Sequence, residues 1–444
     1  MSVEVMEPQQ QAIEPRQSTI PRRRISPTFA LVVLALAVRL GWMLYLYGVP
    51  FSQPRIVNDG SFSNETTNIG SALAHGLGFS SPMLSIIDGD MGMGPSSWIA
   101  PVYPAFCAAV FKLLDSFSAP SFFVILLVQC VISAVTIFPM LRIARLTTGI
   151  KTGYIASFIW AVFPWFSKWA VTWVWEISLT ALLFTWLLWY ALRLAQPATR
   201  RLWIGFGALW GFSLLVNPAM MTLLPVSAAW IAWRRTKQGQ PWLKNGLLAA
   251  AICLAVVSPW LIRNRVVFGE WIFIRDNFGF EFWLGNFHGS NGRGWAFNHP
   301  TGNPAELHDY IKMGELKYVR YKTALAKQFI RDYPQEFASL TAHRVLWFWD
   351  GSAIRYTNGI PNMWMPLTYG LFSILLVPSL LLACFKRLPG WPVFLGAILL
   401  YPLPYYLTYG QMRYRHALEP LMLLLVVYAI SDTIARFRSK PATS

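Results

Sequence analysis

The sequence predicts an all-α polytopic membrane protein of about 10–11 transmembrane helices, with two large polar segments outside the membrane. Hydrophobic residues make up 55% of the chain, charged residues only 13%, and the mean hydropathy is +0.42. Because a soluble domain carries about 25% charged residues, this composition indicates a membrane protein. The 22 tryptophans fit belts at the two membrane interfaces, where amphipathic rings settle.

The net charge of +17 does not predict a nucleic-acid partner. Lys and Arg lie mostly between apolar segments, as the positive-inside rule places them in a protein that spans a lipid bilayer. The cysteines have neither disulfide nor metal-ligand spacing and are interpreted as packed side chains. They are Cys107, Cys130, Cys253 and Cys384.

The N-terminal membrane module is predicted to cover residues 28–262. Residues 1–27 before it are polar, end in three arginines and are expected to form a disordered cytoplasmic tail. Residues 28–48 are apolar and long enough to cross a bilayer core of ~30 Å. Since the arginines mark the cytoplasmic side, the loop 49–100 is expected outside.

A short amphipathic helix is predicted inside this external loop. Glu65 precedes a helical pattern from Thr66 to His75, and Gly76 and Gly78 end it as glycine does at a C-cap. A carboxylate therefore stands at the start of a helix that can rest on the membrane surface.

The rest of the module alternates apolar runs with basic clusters. Asn217-Pro218 divides the stretch 202–234, which is too long for one span of about twenty residues, into two helices. The region 101–141 offers two candidate helices, whereas the charges on either side require an odd number of crossings, and this stays open. The apolar runs lie near 101–117, 119–141, 150–168, 172–194, 202–216, 218–234 and 243–262.

A second polar segment, 263–362, is also expected outside. Residues 363–437 are predicted to form the C-terminal membrane helices, and 438–444 a cytoplasmic tail. This topology gathers four features on one face: the Glu65 loop, the Asn217-Pro218 turn, the segment 263–362 and the turn 410–420.

Arginines and carboxylates on one membrane face suggest a chemistry. The guanidinium fork binds phosphate in a bidentate manner, and a carboxylate can take a proton from a hydroxyl. We therefore expect displacement at a sugar carbon, with inversion, in which a polyprenyl phosphate departs.

Four stretches carry a resemblance to a known family, and they occur across nearly the whole chain. They are ETTNIGSALAHGLGFSSP at 65–82, GPSSWIAPVYP at 94–104, SPWLIRNRVVFGEWIFIRDNFGFEFWLGN at 258–286 and RYRHALEP at 413–420. Together they resemble the C-type (GT-C) glycosyltransferases, in the bacterial branch related to protein O-mannosyltransferases and the aminoarabinose transferase of lipid A.

The resemblance implies a multi-pass enzyme of the cell (inner) membrane that works on the outer, periplasmic face. Its donor would be a polyprenyl-phosphate-linked sugar, and its acceptor a hydroxyl or amine of a lipid, glycan or protein. Family members usually carry an acid or acid pair in the first external loop, as base or metal ligand. Here the pair reads Asn64-Glu65, with a single carboxylate. No metal site is therefore predicted, although a divalent cation stays open.

Glu65 is the candidate catalytic base, with Asp59 in the same loop as a second acid. Partial burial is expected to raise the pKa of Glu65 toward neutrality, against nearby arginines. His288 and His299 lie in a Gly-rich loop without ligand spacing and are interpreted as surface groups. The candidate substrate-binding residues are Arg263, Arg265, Arg413, Arg415, His416 and Glu176.

Two other classes of protein remain as alternatives. A transporter or flippase of lipid-linked sugars would carry charged residues deep within the membrane helices, whereas here the ionisable groups are expected at the helix ends. A non-enzymatic scaffold for envelope assembly would need no carboxylates on the outer face.

Overall fold

The chain folds into a bundle of α-helices of the kind that spans a membrane. The structure is a computed structural model, and it describes residues 26–48, 62, 64–83, 94–292, 298–351 and 364–439. Asp59 lies outside the described residues. Within these ranges the nearest approach to a strand is the isolated bridge between Ser80 and Pro95. The predicted all-α class is therefore confirmed.

The helices follow one another with short connections in most of the chain. Short 3₁₀ helices at Pro218–Leu223 and Met412–Ala417 precede α10 and α19. The α-helices are α1 Pro27–Tyr47, α2 Glu65–Ala74, α3 Val102–Leu114, α4 Ala119–Val135, α5 Ile137–Leu146, α6 Ile150–Val162, α7 Pro164–Thr172, α8 Ile177–Leu194, α9 Arg200–Val216, α10 Leu224–Lys237, α11 Leu243–Phe268, α12 Phe278–Gly285, α13 Pro304–Met313, α14 Glu315–Asp332, α15 Pro334–Asp350, α16 Trp364–Phe385, α17 Trp391–Leu400, α18 Leu403–Leu407 and α19 Glu419–Ser439.

Six stretches of helix in the described part of the chain are long and apolar enough to cross a membrane. They belong to α1, α4 with α5, α8, α11, α16 and α19. Shorter apolar helices accompany them in the described part of the chain, namely α3, α6 and the pair α17 and α18.

The bundle has two ends of different character. At one end, which we call the basic end, the C-termini of α5, α8 and α10 meet the turn between α16 and α17 around a cavity. At the other, the site end, a larger cavity is lined by parts of all four features that the sequence gathers on one face. The predicted convergence is therefore confirmed.

Within 101–141, α3 has 13 residues, which span only ~20 Å, and it packs tightly on α2. A Cβ added at Gly70 would lie 2.8 Å from Cys107 Cβ. The next helices, α4 and α5, together make a 28-residue apolar stretch from Ala119 to Leu146 that is long enough to cross a membrane.

A buried arginine contradicts the expectation that ionisable groups lie only at the helix ends. Arg39, within α1, is fully buried and donates to Ser133 Oγ at 2.8 Å and to the carbonyl oxygens of Trp160 and Ala161 at 3.2 and 3.3 Å. A charge in this environment persists only when its donors are satisfied. Arg39 therefore ties α1 to α4 and α6, and it does not line the cavity at the site end.

The second polar segment closes over the site end through α12 to α15. Arg344 on α15 is buried and donates to Gly285 O at 2.5 Å, Asn286 Oδ1 at 2.7 Å and Tyr406 O at 3.0 Å. Gly285 lies against the backbone of Thr408, where an added Cβ would be 1.8 Å from the carbonyl oxygen. The segment is thus fixed to the turn after α18 rather than loosely attached.

Candidate active site

A cavity of about 560 Å³ lies at the site end, between the bundle and the polar segment that closes it. Its volume falls within the ~300–1,000 Å³ typical of ligand sites. Carboxylates, arginines and aromatic rings all reach it from different elements. The charged and titratable residues that line it include Glu65, Glu176, Arg275, Glu281, His299, Tyr405, Tyr409, Arg413 and Tyr414.

Glu65 is the first residue of α2, but it is not the residue that caps the helix. Asn64 caps it, with Oδ1 accepting from the backbone N–H groups of Thr66 at 3.0 Å and Thr67 at 3.4 Å. Thr67 Oγ1 accepts in return from the Asn64 N–H at 2.9 Å, which completes a capping box. The carboxylate of Glu65 is therefore left for contacts in the cavity.

One oxygen of Glu65 accepts two hydrogen bonds. The Trp98 indole N–H donates to Oε1 at 2.6 Å, and His299 Nε2 lies 2.9 Å from the same atom. Burial raises the pKa of Glu65, but the contacts with His299 and Trp98 and the charge of Arg275 outweigh it and hold the pKa below its usual range. The expectation that the pKa moves toward neutrality is wrong, because the sequence does not reveal these donors.

Trp98 is held in place by a buried carboxylate beneath it. Glu315, at the start of α14, accepts from Ser96 Oγ at 2.7 Å, from the Ser97 N–H at 2.6 Å and from Tyr310 OH at 2.9 Å. Burial and the neighbouring charge of Glu315 raise the pKa of Asp276 well above its usual range. Burial raises the pKa of Glu315 as well, so both carboxyl groups of this buried pair hold a proton more readily than in water.

Arg275 is placed among the carboxylates by a strained residue. Ile274 before it has φ of 60°, a left-handed conformation that is a genuine outlier for a β-branched residue. Ile274 is fully buried, and its carbonyl oxygen accepts from Trp260 Nε1 at 2.6 Å, so its surroundings hold it there. The charge of Arg275 lowers the pKa of Glu65, Glu176 and Glu281 alike.

Arg413, in the 3₁₀ helix before α19, also lines the cavity. Its guanidinium lies over the rings of Trp173, Trp175 and Tyr414, with 4.8, 5.1 and 5.3 Å to the ring centroids. Within the described residues neither Arg413 nor Arg275 has a carboxylate within ion-pair distance. These two cations are therefore available to an anionic ligand.

Two further carboxylates line the cavity, and their pKa values are raised, whereas that of Glu65 is lowered. Burial raises the pKa of Glu176 to about 7, although Arg275 and Arg413 oppose the shift. Burial and the negative charge of Glu65 raise the pKa of Glu281 to about 7. The cavity thus combines one carboxylate that is ionised at neutral pH with two that titrate there.

The structure brings together three of the predicted site residues, Glu65, Glu176 and Arg413. Arg263 instead donates to Ser96 O at 2.7 Å and Phe79 O at 3.1 Å, so it supports the loop that carries Trp98. Arg265 is exposed and donates to Gly269 O. Neither of them lines the cavity.

Arg415 and His416 also point away from the cavity, into the bundle. Arg415 donates to Trp349 O and to Ser373 Oγ, both at 2.8 Å. His416 Nδ1 lies 2.6 Å from Glu419 Oε2. Both side chains are fully buried, and their geometry gives them no access to a phosphate in the cavity.

Sequence reasoning missed Arg275 and Glu281 and misjudged His299. Arg275 and Glu281 belong to the quoted stretch 258–286, but nothing in its local pattern separates them from other charges of an external segment. His299 is not a surface group, since only 15% of its side chain is exposed and it contacts Glu65 across more than two hundred residues. A contact at that sequence separation leaves no periodic signal.

The described donor set does not fit a metal ion. Among the described residues, no three His, Cys, Asp or Glu side chains stand close enough together to hold one. Next to Glu65, the Asn64 amide is used on backbone groups, where Nδ2 donates to Val174 O at 3.3 Å.

Residues 99–262 match the family model described as dolichyl-phosphate-mannose-protein mannosyltransferase. The match starts directly after Trp98 and runs to within α11, so it covers most of the membrane helices that form one side of the cavity. Comparison of the sequence with curated proteins gives no match.

Solved structures of the oligosaccharyltransferase from Archaeoglobus fulgidus share the fold. The apo form matches with a TM-score of 0.54 at 13% identity, over 93% of this chain and 51% of that one. The complex of this enzyme, AglB, with an inhibitory peptide and a dolichol-phosphate matches with a TM-score of 0.50 at 13% identity, over 93% of this chain and 51% of that one. A form tethered to an acceptor peptide with the NVT sequon matches with a TM-score of 0.53 at 14% identity, over 94% of this chain and 51% of that one.

The chain spans about half the length of these archaeal proteins. At such low identity the likeness establishes the fold, and the predicted C-type fold is confirmed.

The depressed pKa of Glu65 can be tested at Trp98. Trp98→Phe keeps an aromatic ring but removes the indole donor, so the pKa of Glu65 should rise and its carboxylate should protonate at higher pH. Infrared difference titration of each protein against its own Glu65→Gln variant isolates this carboxylate. Because the folded-state pKa is depressed, the stability that Glu65 contributes is present above its unfolded pKa and is lost as pH falls through the folded value.

Trp271→Phe is the matched control, since Trp271 is 70% exposed. It should leave the titration of Glu65 unchanged. The same titration curve in Trp98→Phe and wild type would contradict the role of the indole.

Proposed function

We propose that the chain transfers a sugar from a polyprenyl-phosphate donor to a hydroxyl or amine of an acceptor inside the cavity at the site end. The observation that carries this proposal is that one cavity joins Glu65 to two cations, Arg275 and Arg413, that have no acidic partner among the described residues. The family match, which names a lipid-phosphate-mannose donor for its members, supports the donor class.

Arg275 and Arg413 are proposed to hold the donor phosphate. Guanidinium groups bind phosphate through charge-assisted hydrogen bonds, and enclosure strengthens these bonds by excluding water. The rings of Trp173 and Trp175 support Arg413 from behind and limit its motion. Arg263, Arg265, Arg415 and His416 are left out of this proposal, because their donors serve the backbone or the bundle interior.

Glu65 is proposed as the base. The acceptor oxygen or nitrogen attacks the anomeric carbon, the bond from that carbon to the phosphate oxygen breaks, and its electron pair leaves with the polyprenyl phosphate. The proton of the acceptor passes to Glu65. Since Oε1 is engaged by Trp98 and His299, Oε2 is the oxygen available for it. Attack opposite to the departing phosphate inverts the anomeric centre.

The low pKa of Glu65 in the unliganded cavity is compatible with this role. The carboxylate is ionised at neutral pH, so the basic form is always present. A bound phosphate adds negative charge beside Arg275 and reduces the effect of that cation on Glu65. Binding of the donor should therefore raise the proton affinity of Glu65 at the moment when a base is needed.

The acceptor is proposed to reach Glu65 from the side of α13 and the loop that carries His299. Thr301 and His299 line the cavity at this side, and Thr301 Oγ1 lies 2.7 Å from His299 Nδ1. The lipid chain of the donor would occupy the bilayer beside the bundle. A lipid, a glycan or a protein can each supply the acceptor group, and the peptide complexes of the archaeal enzyme favour a protein.

Glu65→Gln should lower turnover by about 10²–10⁴-fold, because general-base catalysis typically supplies that factor. Glutamine keeps the shape and can still accept from Trp98, so folding and donor binding should stay near wild type. The measurement is release of polyprenyl phosphate from a panel of polyprenyl-phosphate hexoses and pentoses, with total membrane extract as the acceptor pool.

Three other substitutions complete this experiment. Glu270→Gln removes an exposed carboxylate that pairs with Arg320 and should leave turnover unchanged. Glu176→Gln and Glu281→Gln test the other cavity acids and should each cost less than Glu65→Gln. A wild-type rate in Glu65→Gln, with a large loss at Glu176 or Glu281, would move the base to that residue.

Arg413→Ala should weaken binding of a short-chain polyprenyl phosphate by one to two decades, since a charged hydrogen bond contributes about 1.5–3 kcal/mol. Calorimetric titration with this lipid measures the loss without knowledge of the sugar. Arg265→Ala removes an exposed arginine outside the cavity and is the control. Equal affinities in Arg413→Ala and wild type would exclude Arg413 from the phosphate site.

The site end is proposed to face outward, because the basic residues of the bundle gather at the opposite end. Gln335→Cys on α15 is exposed at the site end, and Gln238→Cys after α10 is exposed at the basic end. An impermeant maleimide applied to intact cells should label the first and spare the second. Labelling of Gln238→Cys alone would reverse the orientation.

A further inference from the structure

A second cavity, of about 440 Å³, lies at the basic end of the bundle, far from Glu65 in the fold. It is enclosed by the C-terminal turns of α5, α8 and α10 and by the turn that joins α16 to α17. Its cations are Arg234, Lys237 and Arg387, and its aromatic walls are Trp230, Trp233 and Trp391.

No acidic side chain lines this cavity among the described residues. Asp432 on α19 is paired with Lys386 and, at 2.9 Å, with Arg436, and it does not line the cavity. The described structure gives Arg234, Lys237 and Arg387 no ion-pair partner. Three positive charges therefore converge on one enclosed volume without compensation.

The cations are not needed to satisfy the ends of the helices. Lys and Arg at a helix C-terminus often do no more than bind the last carbonyl groups and offset the helix dipole. Here the buried Arg235 binds the helix end, since it donates to Leu194 O, the last carbonyl of α8, at 2.9 Å. It also donates to Gln240 Oε1 at 2.7 Å. Its neighbour Arg234 and Lys237, one turn apart on α10, line the cavity instead.

The turn that carries Arg387 is rigidly built. Arg387 has φ of 49°, a left-handed conformation that is unfavourable for a residue other than glycine. Gly390, with φ of 85°, packs so closely on α8 that an added Cβ would lie 2.1 Å from Leu192 Cδ2. Leu388 between them is buried, so the turn cannot swing away from the bundle. Arg387 is exposed, but the fixed turn keeps it at the rim of the cavity.

Tryptophan rings set the depth of the cavity and orient its cations. Arg234 lies over Trp230 and Trp233 at 5.5 and 6.0 Å, and Lys237 lies over Trp233 at 5.4 Å. Tryptophan settles at the level of lipid headgroups. The rings also reduce the conformational freedom of both cations, which lowers the entropy lost when a ligand binds.

We propose that this cavity binds the phosphate headgroup of an anionic phospholipid in the leaflet at the basic end. A phosphodiester supplies the negative charge that three unpaired cations attract, and the apolar ring faces accept the glycerol and the first acyl carbons. The ligand is distinct from the donor of the proposed function, which must reach the opposite end of the bundle. Free phosphate shares the headgroup chemistry but offers nothing to the apolar walls.

The test compares the thermal stability of the purified full chain in detergent with three additives: phosphatidylglycerol, phosphatidylcholine and inorganic phosphate. Phosphatidylglycerol should raise the Tm by several degrees, because a ligand that binds only the folded state stabilises it. Phosphatidylcholine and inorganic phosphate at the same concentration should have little effect.

The variant with Arg234→Gln, Lys237→Gln and Arg387→Gln should lose the shift produced by phosphatidylglycerol. The matched control carries Arg200→Gln, Arg201→Gln and Lys244→Gln, three exposed cations near the same end that do not line the cavity. It loses the same charge and should keep the shift. Native mass spectrometry should find co-purified anionic lipid on the wild type and the control, and much less on the cavity variant.

Two outcomes would overturn the proposal. The first is an equal loss of the shift in both triple variants, which would mean that the lipid responds only to the general positive charge of this end. The second is a shift with inorganic phosphate as large as that with phosphatidylglycerol, which would assign the cavity to a free anion. If the cavity variant fails to fold, Arg387→Gln alone replaces it and should halve the shift or more.

Discussion

The buried carboxylate of Glu315 holds the site end together. It accepts hydrogen bonds from the loop before α3, through Ser96 and Ser97, and from Tyr310 on α13, while it stands itself at the start of α14. Two polar segments more than two hundred residues apart are thereby joined at one point. A buried carboxylate without these donors would cost several kcal/mol, so the segments cannot separate without a large loss of stability. Trp98 follows Ser97 directly, which makes the position of the Glu65 contact a consequence of this junction.

The same junction explains why the cavity is preorganised. Asp276 lies beside Glu315 and donates its backbone N–H to Ser97 O at 3.0 Å, and Arg275 is its neighbour in sequence. The strained backbone at Ile274 is therefore held on both sides, by Trp260 and by the Glu315 junction. Trp98, which donates a hydrogen bond to Glu65, and Arg275, the cation among the carboxylates, therefore both depend on the junction at Glu315. Preorganised charges of this kind act without the cost of reorganisation during a reaction.

Much of the fold follows from the sequence, since hydrophobic length and the distribution of Lys and Arg report on membrane passes directly. The predicted bounds of α2 agree with the structure to within one residue, because the helical pattern is clear and two glycines end it. The role of α3 was not predictable in this way, as an apolar helix of 13 residues resembles a short span until its packing on α2 is known.

The site was predictable only where a residue stands next to a recognisable feature of the chain. Glu65 at a helix start, Glu176 before α8 and Arg413 in a turn could be proposed from position alone. Arg415 and His416 share that turn with Arg413, and only the three-dimensional path of the 3₁₀ helix determines which side chain faces the cavity. His299 and Glu281 act through contacts between distant segments, which leave no trace in local composition.

The amide of Asn64 has a consequence for the evolution of the site. Its oxygen caps α2, whereas its nitrogen donates to the backbone just before Glu176, so one side chain braces two walls of the cavity. An aspartate at this position could keep the cap but not the brace, because a carboxylate has no proton to donate. It would also stand beside Glu65 and add a second negative charge. A change from a lone carboxylate to an acid pair at this position therefore loses the brace to Val174 unless another group donates to that carbonyl.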